Sequence, residues 1–387
     1  MQQSKTARER VVALDLLRGL TVAGMLVVDS PGNWSVSYAP LQHAAWNGWT
    51  PTDMIFPTFL FCVGMAWAFS FPRRAADSAS IWIKAAKRTA LLIFIGLVLN
   101  ALPWFDLVHL RLPGILQRIA ACFFLTVAVT LATARKKEGK LYLNTGAIAA
   151  AALLLLAGYW TMLRFLPVPG FGAAHLDSLR SLPAWVDRNL FTTNHMWDQG
   201  TTPGFGVTYD PEGVVSTLGA LASTLIGVLA AIAFRPFPEK RRVFYFALAG
   251  AALVALGYLL NPLLPFNKRL WTSTFVLLSS GVSLLALSIL LLLPAAGRGA
   301  VVLQPLRVLG ANAILAFILC QLLEVFSALK IVPGANGADS PQHWGYATAL
   351  GAIGDPYLAS LACALAILVI IVAAIWPLHR RGIFLRV

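Results

Sequence analysis

Stretches of roughly 20 apolar residues recur along this chain from end to end, each long enough to cross a bilayer as a helix. That feature excludes most of what a chain of 387 residues can fold into. Only 12% of the residues are charged, against about 25% in a soluble domain, and 58% are hydrophobic. Helical spans are expected at about 11–29, 53–71, 86–103, 113–134, 143–163, 213–234, 243–261, 272–293, 306–328 and 356–377. The fold class is all-α: a polytopic membrane bundle of about ten transmembrane helices, residues 1–387 forming one domain. The first span follows Arg8 and Arg10 as a signal peptide would. Asp15 and Arg18 inside it, and the lack of a small-residue cleavage site after it, make it a retained helix.

The net charge of +14 does not point to nucleic acid, because the cations fall between spans in alternate segments. One set of segments holds 21 Lys and Arg residues, the opposite set 7. By the positive-inside rule both termini are cytoplasmic and the loop 30–52 faces outward, to the periplasm if the membrane is a bacterial inner membrane. The longest outer segment, 164–212, is rich in Gly, Pro, Trp and Asp and reads as an ordered periplasmic cap. Cys62, Cys122, Cys320 and Cys363 all lie in spans and form no C-x-x-C pair, so no disulfide framework or metal site is expected.

Polar residues inside spans are costly and mark either structural pairs or functional interiors. Asp15, Arg18 and Asp29 share one face of the first helix, where Asp15 and Arg18 also suit a plain ion pair. The densest chemistry runs from Leu41 to Asp53: one imidazole (His43), one carboxylate (Asp53), two indoles (Trp46, Trp49) and the Asn47 amide. Thr52 or Asp53 is expected to N-cap the following helix, which gives Asp53 a structural reading beside a chemical one. An imidazole takes a proton from an attacking amine or itself attacks a thioester, although a loop histidine is more often merely solvated. Gln117 and Arg118 stand in an outer half-helix, where the guanidinium needs an anion. Asp210 and Glu212 precede the sixth span and suit capping; Lys268 and Trp271 precede the eighth, where a cation opposes the helix dipole. Asn312, Gln321 and Glu324 suit interhelical hydrogen bonds.

Several ordered motifs together resemble one family. They are Leu14-Asp15-Leu16-Leu17-Arg18-Gly19-Leu20-Thr21, His43-Ala44-Ala45-Trp46-Asn47-Gly48-Trp49-Thr50-Pro51-Thr52-Asp53, Gly114-Ile115-Leu116-Gln117-Arg118-Ile119, Asp210-Pro211-Glu212-Gly213, Asn267-Lys268-Arg269-Leu270-Trp271-Thr272 and Gly310-Ala311-Asn312. The chain resembles the heparan-α-glucosaminide N-acetyltransferase family and its bacterial relatives in the transmembrane acyltransferase group. The resemblance implies transfer of an acetyl group from cytoplasmic acetyl-CoA to a glucosamine or related amino sugar on the other face of the bilayer.

It places the active histidine at His43; Asp29 and Asp53 are the candidate catalytic carboxylates beside it, Asp29 either as an orienting group for His43 or in a different role. The family commonly carries Asn at the position aligned with Asp29, so this chain departs there. For the acyl donor it suggests Arg18, Gln117, Arg118, Arg88, Arg242 and Asn312, with Arg73, Arg74, Lys87 and Arg241 as further cations for the nucleotide. For the sugar it suggests Trp46, Asn47, Asp210, Glu212, Lys268 and Trp271, with Trp49 and Trp197 as further stacking surfaces. No metal is implied, and members can be homodimeric. The extra luminal domain of the family's lysosomal form has no counterpart in the motifs read here, so a free amino sugar or a wall fragment is the expected acceptor. Three readings stay open at this level: the enzyme, with His43 as base or as acetyl carrier; an amino-sugar permease; and a passive assembly partner, which leaves Arg18 and Arg118 unexplained.

Overall fold

The computed structural model describes residues 12–71, 78–235, 238–293, 298–334 and 337–385; among these its regular structure is helical apart from three two-stranded hairpins and one isolated bridge. The helices are α1 (Val12–Asp29), α2 (Ile55–Ser70), α3 (Ser78–Ala101), α4 (Ile115–Ala132), α5 (Thr145–Phe165), α6 (Leu182–Phe191), α7 (Thr217–Phe234), α8 (Glu239–Leu260) and α9 (Ser273–Leu291). They continue as α10 (Arg298–Val302), α11 (Gln304–Ala311), α12 (Ala313–Ala328), α13 (Pro341–Ile353) and α14 (Pro356–Arg380). Among the described residues seven helices are long and apolar enough to cross a membrane, eight if α11 and α12 form one broken span. The all-α membrane bundle expected from the sequence is therefore present.

Each of the ten expected spans contains helix. The count falls short of ten because α1 and α3 carry three charged residues each in their apolar stretch (Asp15, Arg18, Asp29; Lys84, Lys87, Arg88). The ninth differs more. Instead of one straight helix over 306–328, α11 and α12 meet at 89°. The break lies at Asn312, whose backbone leaves the helical region at φ −126° and ψ 39°. Its side-chain oxygen accepts the Leu385 N–H at 3.3 Å, and its carbonyl accepts the Ala316 N–H. An Asn after Gly310 is a weak helix propagator, and here a tertiary partner takes its side-chain oxygen.

The chain divides into two compact units. The first comprises residues up to 44, 50–59 and 286 onward; within it α1 packs on α11, α12 and α14. Helices meet in lipid by close backbone approach over small residues. Here a Cβ on Gly310 would lie 1.9 Å from the Asp15 carbonyl oxygen, and one on Gly19 would lie 1.9 Å from that of Leu306. Val22, Leu26, Val308, Leu309, Ala316, Cys320, Ile371 and Ile375 fill the interior beside this crossing.

The second unit comprises 45–49 and 60–285. In it α3 packs on α4, α7 packs on α4 and α5, and the Trp67 indole of α2 donates to Thr130 of α4 at 2.9 Å. The segment after α5 folds on itself around Tyr159, Leu163, Val168, Leu182, Val215 and Leu264. It contains α6 and a hairpin of β3 (Thr201–Thr202) and β4 (Gly206–Val207), counted after the hairpin β1 (Arg135–Lys137) and β2 (Lys140–Tyr142). A last hairpin pairs β5 (Val332–Gly334) with β6 (Gly337–Asp339).

Candidate active site

In the first unit a short 3₁₀ turn, Pro51–Met54, leads into α2. Thr50 is its N-cap and Asp53 its third residue, so the cap falls two or three residues before the positions expected from the sequence. Asp53 reaches back: its Oδ2 accepts the Thr50 N–H at 3.0 Å, the Thr50 hydroxyl at 3.2 Å and the Ala44 N–H at 3.1 Å. Its Oδ1 meets His43 Nδ1 at 2.7 Å. The carboxylate is 1% exposed and the imidazole 44% exposed. Because a carboxylate only accepts, Nδ1 carries the hydrogen and Nε2 is the basic nitrogen of the neutral ring. Capping and orienting thus share one side chain, which serves both readings of Asp53.

Asp29 closes α1, within electrostatic reach of Cys320 and Glu324 on α12. The carboxylate that meets Nδ1 of His43 is that of Asp53. Arg18 pairs with Asp15 at 2.7 Å, one helical turn away. Asn312 is 1% exposed, and its Nδ2 is buried with no hydrogen-bond partner among the described residues.

In the second unit Trp46 is held from three sides. Its indole N–H donates to the Leu176 carbonyl at 2.7 Å, Tyr209 stands edge-on at 5.0 Å, and the Arg269 guanidinium lies 5.6 Å from the ring. Arg269 also donates to the Tyr209 hydroxyl at 2.7 Å. The exposed Asn47 accepts from Asn267 Nδ2 at 3.1 Å, and the Gly48 N–H donates to the Phe266 carbonyl. The half-buried Lys268 lies in the same turn as Asn267.

Asp210 and Glu212 face a cation rather than solvent. Arg111 donates to both Asp210 oxygens at 2.7 and 2.9 Å and to Glu212 at 2.5 Å, while the Trp197 N–H donates to Asp210 at 2.8 Å. Burial works against the charge of Arg111, but the two carboxylates outweigh it and raise the guanidinium above its ordinary range. Asp187 on α6 is fully buried and the opposite case. Desolvation pushes its carboxyl up to about 7, helped by the charge of Asp210 and opposed by the Val214 N–H, Arg118 and Arg188.

Arg118 is 2% exposed; its Nη2 donates to the Gly213 carbonyl and the Ser216 hydroxyl. Among the described residues its Nε and Nη1 and the Nε2 of Gln117 are buried with no hydrogen-bond partner. The Trp271 ring lies 5.1 Å from the guanidinium and donates its N–H to Ser223 at 3.1 Å. At 1% exposure Trp271 is an interior ring rather than one presented to solvent. Arg88 stacks on Phe123 at 4.3 Å and Arg242 on Phe234 at 4.2 Å. Lys87 is exposed, and Arg73 and Arg74 lie outside the described residues.

The sequence alone did not disclose the Thr50 clamp on Asp53, the Arg111 fork or the Arg269–Trp46–Tyr209 stack. An arginine and an acid pair in outer loops some 100 positions apart were the one available signal for the fork.

A polytopic helical membrane protein with a carboxylate-oriented imidazole is the class these observations define. Residues 10–183 match the family described as heparan-alpha-glucosaminide N-acetyltransferase, catalytic. That segment holds His43, Asp53, Trp46, Gln117 and Arg118. The heparan-alpha-glucosaminide N-acetyltransferase of Mus musculus is 26% identical over 366 residues, covering 83% of this chain and 54% of that protein. The protein of the same name from Homo sapiens is 27% identical over 325 residues, covering 73% and 48%. The chain thus spans about half the length of the curated relatives it matches. These matches bear out the family resemblance read from the motifs.

Proposed function

We propose that the protein is a membrane-embedded N-acetyltransferase that moves an acetyl group from cytoplasmic acetyl-CoA to the amine of glucosamine or a related amino sugar on the periplasmic side. The single observation that carries this reading is the His43–Asp53 dyad, an accessible imidazole whose Nδ1 is held by a buried carboxylate. It stands within the segment that matches the acetyltransferase family. The bias of 21 cations against 7 supports cytoplasmic termini with the loop of His43 on the opposite side, which in a bacterial inner membrane is the periplasm.

In the reaction, Nε2 of His43 takes a proton from the sugar amine as its nitrogen attacks the thioester carbon. The C–N bond forms, the C–S bond breaks, and the CoA thiolate leaves and recovers the proton. Asp53 keeps the ring in the tautomer that makes Nε2 basic and stabilises the imidazolium that forms. In the two-step variant the same Nε2 attacks the thioester carbon and expels the CoA thiolate; the amine then attacks the acetyl-imidazole, the N–C bond to Nε2 breaks to restore the ring, and the amine proton ends on the thiolate. Arg118 and Gln117 offer buried donors for a polar part of a substrate. Trp46, Asn47 and Lys268 offer a ring face, an amide and a cation to the sugar. Asp210 and Glu212 act through Arg111, which fixes the loop they occupy.

Purified protein incubated with acetyl-CoA and glucosamine is expected to release CoA thiol only when the sugar is present, and His43→Ala to abolish the release. A thiol burst without sugar indicates the two-step variant. Sugar uptake into vesicles with no thiol release, or normal acetylation by a folded His43→Ala protein, overturns the proposal.

A further inference from the structure

The segment between α4 and α5 gathers Arg135, Lys136, Lys137 and Lys140 around a single acid, Glu138. As topology signals these cations need no defined conformation, since the bias acts through charge near the ends of spans. Here they are held in a fixed array. β1 and β2 pair antiparallel in the register Arg135↔Tyr142, Lys136↔Leu141 and Lys137↔Lys140. The reversal between them is Glu138-Gly139, with φ of 50° and 70°, the left-handed pair that suits a two-residue hairpin turn.

Residues opposite each other on paired strands share a face, and successive residues alternate between faces. Leu141 packs on Ile81 and Ala85 of α3 and on Phe123 and Val127 of α4, so its face points inward. The other face carries Arg135, Lys137, Lys140 and Tyr142, all exposed. Chain geometry sets the height of that face. α4 ends at Ala132 and α5 begins at Thr145, and both are long and apolar enough to cross a membrane. Three residues reach at most about 10 Å, and the headgroup layer on each side is about 5–8 Å deep. The outward face therefore stays close to the headgroups, within about one screening length at physiological salt.

Beside the hairpin lies an open groove of about 190 Å³. It is lined by Phe71 after α2, by Leu141, Tyr142 and Leu143, and by Ile232 and Arg235 at the end of α7. Tyr142 thus belongs to both the basic face and the groove. The exposed Arg235 is anchored at the mouth, its Nη2 donating to the Ala68 carbonyl at 2.9 Å. Small-molecule pockets begin near ~300 Å³, so this groove takes part of a larger molecule rather than a whole ligand. Guanidinium and ammonium groups at one end suit a phosphate, and the apolar walls suit a chain that continues past it. A glycerophospholipid combines the two, and the bilayer around α4 and α5 supplies it.

We propose that the β1–β2 hairpin and this groove form a binding site for an anionic phospholipid. Arg135, Lys137, Lys140 and Arg235 meet the phosphate and headgroup, and Phe71, Leu143 and Ile232 take the start of an acyl chain. The site does not depend on the acetyl-transfer reading.

The test titrates the full-length protein in neutral detergent micelles with phosphatidylglycerol or phosphatidylcholine bearing the same fluorescent acyl chain. One cation near a membrane surface is worth about fivefold in affinity for anionic lipid at low salt. Wild type is expected to bind phosphatidylglycerol about tenfold or more tighter than phosphatidylcholine. Lys137→Gln/Lys140→Gln is expected to lose about tenfold or more of the phosphatidylglycerol affinity. Arg380→Gln/Arg381→Gln, which removes the same charge at the exposed end of α14, is expected to lose less than about twofold, with thermal midpoints unchanged in both variants. Photoactivatable phosphatidylglycerol reads the position on the wild-type protein, with labelling expected within 135–143 or 232–235. Equal affinity for the two lipids, equal losses in the two variants, or labelling confined to other segments overturns the site. So does displacement of phosphatidylglycerol by acetyl-CoA or inorganic phosphate, which would assign the cations to a soluble phosphate ligand.

Discussion

Replacing Asp53 by Asn separates a catalytic carboxylate from a helix cap. In the native protein Oδ1 faces one donor, His43 Nδ1, and Oδ2 faces three: Thr50 N, Thr50 Oγ1 and Ala44 N. An amide has one accepting oxygen and one donating nitrogen. If its oxygen faces the loop, its NH₂ meets His43 Nδ1, which must then accept, so the hydrogen moves to Nε2 and the ring loses its outward base. If the amide turns over, its NH₂ opposes two half-buried backbone N–H groups. The second arrangement leaves these donors without their acceptor and sets NH₂ against N–H, at a cost of up to about 1–3 kcal/mol, so the first is preferred. The expected variant is folded, with at most a modest drop in thermal midpoint, and its kcat is lower by roughly 10²- to 10⁴-fold, the contribution of a positioned base. Thiol-release kinetics beside a thermal melt read both quantities. A folded Asp53→Asn protein that keeps kcat within about twofold of wild type refutes the orienting role and reduces Asp53 to a cap.

Arg111→Ala should destabilise the protein by about 3–5 kcal/mol, since it strands the fully buried Asp210 carboxylate; Arg111→Lys should recover part of the loss by chemical denaturation. Gly310→Ala drives a methyl group to 1.9 Å from a backbone oxygen and should cost more than about 3 kcal/mol or block folding, whereas Gly345→Ala, in open space on α13, should be neutral or stabilising by up to about 1 kcal/mol. The raised carboxyl of Asp187 makes stability pH-dependent. Folding binds its proton more tightly than the unfolded chain does, so its contribution is full below about 4 and is lost as pH rises through about 7. Thermal midpoints should therefore fall between pH 5 and 8, and Asp187→Asn should flatten that part of the profile.

Apolar periodicity alone determined that this chain lies in a membrane as helices, because runs such as Thr217–Phe234 leave no other solvent for their side chains and no other way to satisfy their backbone. The same local logic placed His43 and Asp53 as the chemical centre of the loop before α2. It could not say which carboxylate meets the imidazole, because Asp29 and Asp53 flank His43 at comparable distances along the chain, and only the fold brings Oδ1 of Asp53 to 2.7 Å. The break at Asn312 was hidden for a related reason. Asn312 is flanked directly by Ala311 and Ala313, good helix formers, and the Leu385 N–H that its side-chain oxygen accepts beside the 89° bend lies 73 positions away. Asp210 and Glu212 read as helix caps or sugar ligands in the sequence, and only folding sets both against Arg111. Periodicity is written in neighbouring residues and is legible there. Electrostatic pairing depends on separations of a few ångströms between residues some 100 positions apart, and those separations exist only in the tertiary structure.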